Sequence, residues 1–173
     1  MGIGQKLKHI IGNQPIAIIL FILLLPYYSI AQLSSETLDT LDQLFNNGKY
    51  IEYLEKIIKI EKSIKNGENI LCQLEELTPL VERPINSNDP EINFQRRKAY
   101  MYLGNKYYRL LYNNQTAKKF YLIAHNLAED KFCLDTNSWY IEHTLINICT
   151  QLDNFELAKK FSLLTENSLK CFE

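Results

Sequence analysis

The chain has 173 residues, a formal net charge of −1, 46% hydrophobic and 23% charged residues, and only 6 Gly and 5 Pro. This charge balance excludes a globally basic nucleic-acid binder, and the apolar fraction excludes intrinsic disorder. The scarcity of Gly and Pro excludes collagen-like and low-complexity chains and argues against an all-β fold with its many turns.

The first 31 residues carry Lys6 and Lys8, no acid, and the apolar run "IAIILFILLL" from Ile16 to Leu25, followed by Pro26 and "YYSIAQ". A basic start, an apolar middle and the small residues Ser29 and Ala31 read as a secretory signal peptide over residues 1–31, cut between Ala31 and Gln32. The run is shorter than the roughly 20 apolar residues of a spanning helix. The alternative is an uncleaved anchor from Ile10 to Ala31, so that the membrane is met only through this N-terminal segment. The "IAQ" ending resembles that of exported proteins of Bacteroidota. The expected location is the periplasm or cell envelope, with inner-membrane anchoring as the alternative. Residues 32–173 then form one domain of 142 residues with net charge −3.

Within that domain the apolar spacing is helical throughout. Ser34 or Ser35 caps a first helix with Leu38, Leu41, Leu44 and Phe45 on one face, ended by "NNG" at 46–48. A second carries Tyr50, Tyr53, Leu54, Ile57, Ile58 and Ile60 and ends at "KNG", 65–67. A third runs from about Glu68 with Leu71, Leu74 and Leu77 in register, and Pro79 kinks or stops it. Asp89-Pro90-Glu91 predicts a strong helix start: a capping Asp, Pro at the first helical position, an acid in the first turn. That helix reaches about Tyr112. Others follow from Thr116 to about Ala128, from a cap at 135–137 to near Gln151, and from Phe155 to about Ser168. Seven helices and no strand are expected.

Two helix pairs repeat a pattern of small residues. "YMYLGNKY" with "AKKFYLIA" matches the tetratricopeptide pattern W-x2-L-G-x2-Y then A-x3-F, with Tyr100 for the Trp and Tyr121 for the Phe. "LDNFELAKKFSLLT" resembles the turn and second helix of the same motif, and "NNGKYIEYLEKI" resembles it with Tyr53 where a small residue is usual. The chain thus resembles tetratricopeptide repeat proteins, with repeats near 36–64, 92–128 and 137–168. Leu103 to Leu145 is 42 residues and Ala117 to Ala158 is 41, which is similar to the longer variant of kinesin light chain and bacterial regulator-type repeats. The resemblance implies an all-α, right-handed superhelical array of antiparallel helix pairs. No separate capping helix is expected after the last pair, whose Lys159, Lys160, Glu166 and Lys170 make a polar end.

Charge is segregated. Residues 32–91 hold 12 acids and 6 bases, whereas 92–128 hold no acid and seven bases: Arg96, Arg97, Lys98, Lys106, Arg109, Lys118 and Lys119. Residues 129–173 return to net −4. In the family the first helix of each pair lines a concave groove. The alignment implies that Lys98, Met101, Asn105, Tyr108 and Arg109 face it, joined by Tyr140, His143, Asn147, Thr150 and Gln151. The bases suit an acidic peptide or its carboxylate, and Asn105 and Asn147 suit an extended backbone. The competing reading is a solvated face that neutralises acids of neighbouring helices.

No catalytic signature is present: His125 and His143 lack metal-ligand spacing, and no GxSxG or phosphate-binding glycine loop occurs. Trp139 is expected in the core or against the previous pair. The cysteines, Cys72, Cys133, Cys149 and Cys171, have no CxxC spacing, and four allow three connectivities; most read as small buried hydrophobes. The expectation is a non-enzymatic protein or peptide interaction module without cofactor, metal or nucleic-acid partner. The alternative is a stand-alone or truncated extracytoplasmic sensor part of a membrane-bound regulator.

Overall fold

A computed structural model describes residues 33–65, 69–128 and 136–169. The expected cut between Ala31 and Gln32, together with Cys133 and Cys171, lies outside the described residues. Among the described residues there are seven helices and no strand: α1 (Ser35–Asn46), α2 (Tyr50–Ser63), α3 (Ile70–Val81), α4 (Pro90–Arg109), α5 (Asn114–Asn126), α6 (Thr136–Gln151) and α7 (Phe155–Leu169).

Local chemistry starts these helices where the spacing predicts. The Ser34 hydroxyl accepts from the Thr37 amide at 3.2 Å, and Asp89 Oδ1 accepts from the Glu91 and Ile92 amides at 2.8 and 3.3 Å. Pro79 sits in the last turn of α3 without ending it; the helix runs on to Val81.

Three hairpins, α1–α2, α4–α5 and α6–α7, close by related turns. Each has a left-handed residue, Gly48 (φ 70°), Tyr112 (φ 52°) or Asp153 (φ 55°). The next amide then reaches back to the first helix, over five residues in the outer two hairpins (Lys49 to Leu44, Asn154 to Cys149) and over six in the middle one (Asn113 to Tyr107), at 2.8 to 2.9 Å. This satisfies the last carbonyls of the first helix of each pair. In the second and third hairpins the side chain of that next residue then caps the following helix, Asn113 onto the Thr116 amide and Asn154 onto the Leu157 amide.

The hairpins pack in succession, α2 directly on α4 and α5 on α6, while α3 makes lighter contact with both α2 and α4. Small residues sit where α4 and α5 cross. Ala99, Ala117 and Ala124 are fully buried, and a Cβ on Gly104 would lie 3.1 Å from the Tyr121 ring. Tyr53, which replaces a small residue in the first pair, is fully buried, and its hydroxyl donates to the Leu80 carbonyl at 2.6 Å. A large side chain fits there because α3 supplies an acceptor at its C-terminal end. The core is continuous from Leu41 through Leu74, Leu103 and Leu145 to Phe161.

Two expectations about packing need correction. Trp139 is 45% exposed and stacks on His143 rather than entering the core, because residues 141, 145, 148 and 149 already fill the buried face of α6. Of the two described cysteines, Cys149 is buried as expected, but Cys72 lies on the exposed face of α3; neither is bonded.

Candidate functional site

The residues expected on one wall come from α4 and α6, which are tied by side chains. The Tyr140 hydroxyl donates to Asn105 Oδ1 and accepts from Arg109 Nη2 at 3.1 Å. The Gln151 amide donates to the Tyr108 hydroxyl at 3.4 Å and accepts from Asn114 Nδ2 at 2.8 Å. The structure therefore brings Asn105, Tyr108, Arg109, Tyr140 and Gln151 together. His143 and Asn147 are exposed further along α6, His143 stacked on Trp139 with the rings 7° from parallel and 5.2 Å apart. Met101 is a correction: it is buried in the core, so it lines no open wall. Three positions after Lys98 and two before Leu103, it falls on the stripe of α4 that also buries Gln95 and Arg97.

Lys98 faces the opposite flank of α4, toward α2. There the two helices leave two shallow concavities. One, about 330 Å³, is lined by Lys59, Lys62, Gln95, Lys98 and Tyr102 with the single acid Glu55. The other, about 290 Å³, is lined by Lys62, Tyr102, Asn105, Lys106 and Arg109. They share Lys62 and Tyr102 and so form one seam. Along α4 it covers residues 95 to 109, about 21 Å at 1.5 Å per residue.

Some bases outside this seam are held in ion pairs. Lys49 pairs with Glu52, Arg83 with Asp42, and Lys119 with Glu82. Among the described residues, Lys59, Lys62, Lys98, Lys106 and Arg109 have no carboxylate within ion-pair distance. Lys62 instead stands over the Tyr102 ring at 5.0 Å and Lys98 over Phe94 at 4.0 Å, while Lys106 Nζ donates to the Ile64 carbonyl. Cations held over rings or on a carbonyl keep their charge available to a ligand.

Beneath the seam, Glu61 of α2 is fully buried, and neither carboxylate oxygen has a hydrogen-bond partner. Burial pushes its carboxyl well above the usual range, and the Lys106 charge pulls it back part of the way. Burial likewise lowers the Lys106 ammonium, opposed by Glu61. A second buried group joins the last two hairpins: Arg97 donates to the Ser138 hydroxyl, while fully buried Glu142 accepts from Thr165 at 3.2 Å and lies 3.4 Å from His125 Nδ1. Burial raises the Glu142 carboxyl, countered by the Thr165 hydrogen bond and by Arg97. No set of three metal-type ligands clusters among the described residues.

No known family model, curated protein or solved structure matches the chain. Its function is therefore argued from its own residues.

Sequence reasoning reached Lys98, Lys106 and Arg109 through the acid-free block and Asn105 through the repeat alignment, but missed Lys59 and Lys62. The signal was there in Lys56, Lys59 and Lys62, three apart on one helical stripe. The acids that surround them in residues 32–91 hid it, because a summed charge does not record which face each residue occupies.

Proposed function

We propose that this chain is a short tetratricopeptide-like superhelical array of the cell envelope that holds an acidic segment of another protein. The segment lies along the α2–α4 seam, and the α4–α6 wall orients it. The observation that carries this reading is the gathering of Lys59, Lys62, Lys98, Lys106 and Arg109 on one seam, with no paired carboxylate and one lining acid among the described residues. A length of about 21 Å accommodates roughly six residues of extended chain at about 3.3 Å each. Asn105, Tyr102 and Gln95 add groups that can bond its backbone. Buried area here is modest, so affinity comes from charge-assisted contacts and weakens as salt rises.

The test is a Lys98→Glu/Arg109→Glu double variant, with defined acidic peptides and with crosslinking in native envelope, partners read by mass spectrometry. Loss of both peptide binding and the crosslinked partner is expected. Unchanged binding and recovery refute the reading. N-terminal sequencing of the native protein tests the export reading: a start at Gln32 is expected, and a start at Met1 in the membrane fraction refutes cleavage.

A further inference from the structure

We propose that Glu61 sets the pH range over which the α2–α4 seam holds an acidic segment, by competing with that segment for Lys106. The inference rests on the acidic-segment reading above and adds its regulation.

Lys106 is two-sided. It lines the seam beside Lys62 and Arg109, and its ammonium reaches back to the Ile64 carbonyl at the end of the helix that carries Glu61. Glu61 is wholly buried, with both oxygens unpartnered. Three elements pack on α2, and among the described residues only α4 brings a charge to Glu61, namely Lys106. Asp42 of α1 is held by Arg83, Glu76 of α3 accepts from the Leu33 amide, and Glu75 and Cys72 of α3 are exposed. Lys62 on α2 and Lys65 just after it are exposed, Lys62 over Tyr102.

Among the described residues an ionised Glu61 therefore has one source of compensation. A carboxylate of a bound segment draws on the same ammonium. Binding of the acidic segment raises the cost of keeping Glu61 ionised, and by linkage an ionised Glu61 weakens binding by the same factor. When Glu61 takes up a proton, the full charge of Lys106 serves the ligand. Competition for one shared charge within a partly buried site is worth on the order of tenfold in affinity. The seam then grips more firmly on the acid side of the Glu61 titration and releases on the alkaline side, and binding takes up protons wherever free Glu61 is partly ionised.

The test uses the full chain and a short fluorescent oligoglutamate, whose own carboxyls stay ionised from about pH 6 to about pH 8. Anisotropy gives Kd across that range. Calorimetry in two buffers of different ionisation enthalpy gives the protons taken up. Wild type is expected to bind more weakly toward the alkaline end, by up to about tenfold, with net proton uptake on binding. Glu61→Gln is expected to bind at the alkaline end as tightly as wild type does at the acid end. Glu55→Gln, which removes the exposed acid of the same seam, keeps the wild-type pH profile. Wild-type binding without pH dependence or proton uptake overturns the inference and leaves the acidic-segment reading standing. So does a Glu61→Gln profile that matches wild type. An oligoglutamate that binds at no pH, or that binds equally well to Lys98→Glu/Arg109→Glu, overturns both.

Discussion

Replacing Glu61 with Met isolates the energetic cost of the buried acid. The side chain is fully buried beside Ile57, Ile58 and Ile64, and its two oxygens lack partners. An unsatisfied buried polar group costs about 1–3 kcal/mol even when neutral. Keeping the proton costs more as pH rises: the ordinary value is 4.5, the folded value lies above it, and the unfolded chain ionises first. The stability contribution is thus complete below the unfolded value and is lost as pH climbs through the folded one, at up to about 1.4 kcal/mol per pH unit. Met has a similar volume and no such requirement. Urea unfolding at a series of pH values is expected to show Glu61→Met more stable by about 1–2 kcal/mol near pH 5 and by about 2–4 kcal/mol near pH 7. Glu142 also carries a raised carboxyl, but it is common to both proteins, so the difference curve reports Glu61 together with its coupling to Lys106. Parallel pH curves, or a Met variant less stable throughout, refute the reasoning. Either would mean that the oxygens find compensation and the carboxylate is held ionised.

Three further outcomes are expected. Gly104→Ala places a Cβ 3.1 Å from the buried Tyr121 ring. Overpacking of about 1–3 kcal/mol exceeds the helix-propensity gain of about 1 kcal/mol, so a lowered Tm is expected, and an unchanged or raised one contradicts the close crossing of α4 and α5. Tyr112→Gly removes an 84% exposed side chain from a left-handed backbone position (φ 52°). It should stabilise by about 1 kcal/mol, read as a higher urea midpoint at unchanged slope. Tyr53→Phe removes the 2.6 Å bond to the Leu80 carbonyl. A loss of about 1–2 kcal/mol is expected, with faster amide exchange at the end of α3; no loss means that water or another donor serves that carbonyl.

Much of the site was legible because α4 is written in local terms. Asp89-Pro90-Glu91 starts it, no acid follows Glu91 before its end, and its Leu-Gly and Tyr positions recur at helical spacing. These features need only a single helix to be read. Asn105 and Arg109 were expected to share a wall with residues of α6, and the structure joins them through Tyr140. Met101 failed because the width of the buried stripe on α4 depends on what covers it: α2, α3, α5 and α6 all do, so the apolar face spreads to residues that a two-helix alignment leaves outside.

The sequence by itself determined the seven described helices, the Ser34 and Asp89 caps and the placing of small residues at the α4–α5 crossing. Each depends on local propensity and on a period of 3.6 residues. Only the tertiary structure decided that α2 passes α3 and lies on α4. That single contact buries Glu61, draws Lys106 back to the Ile64 carbonyl and sets the lysines of an acidic segment beside those of a basic one. Charge acts through space, and neighbours in space 42 residues apart, as Ile64 and Lys106 are, leave no mark on any local pattern.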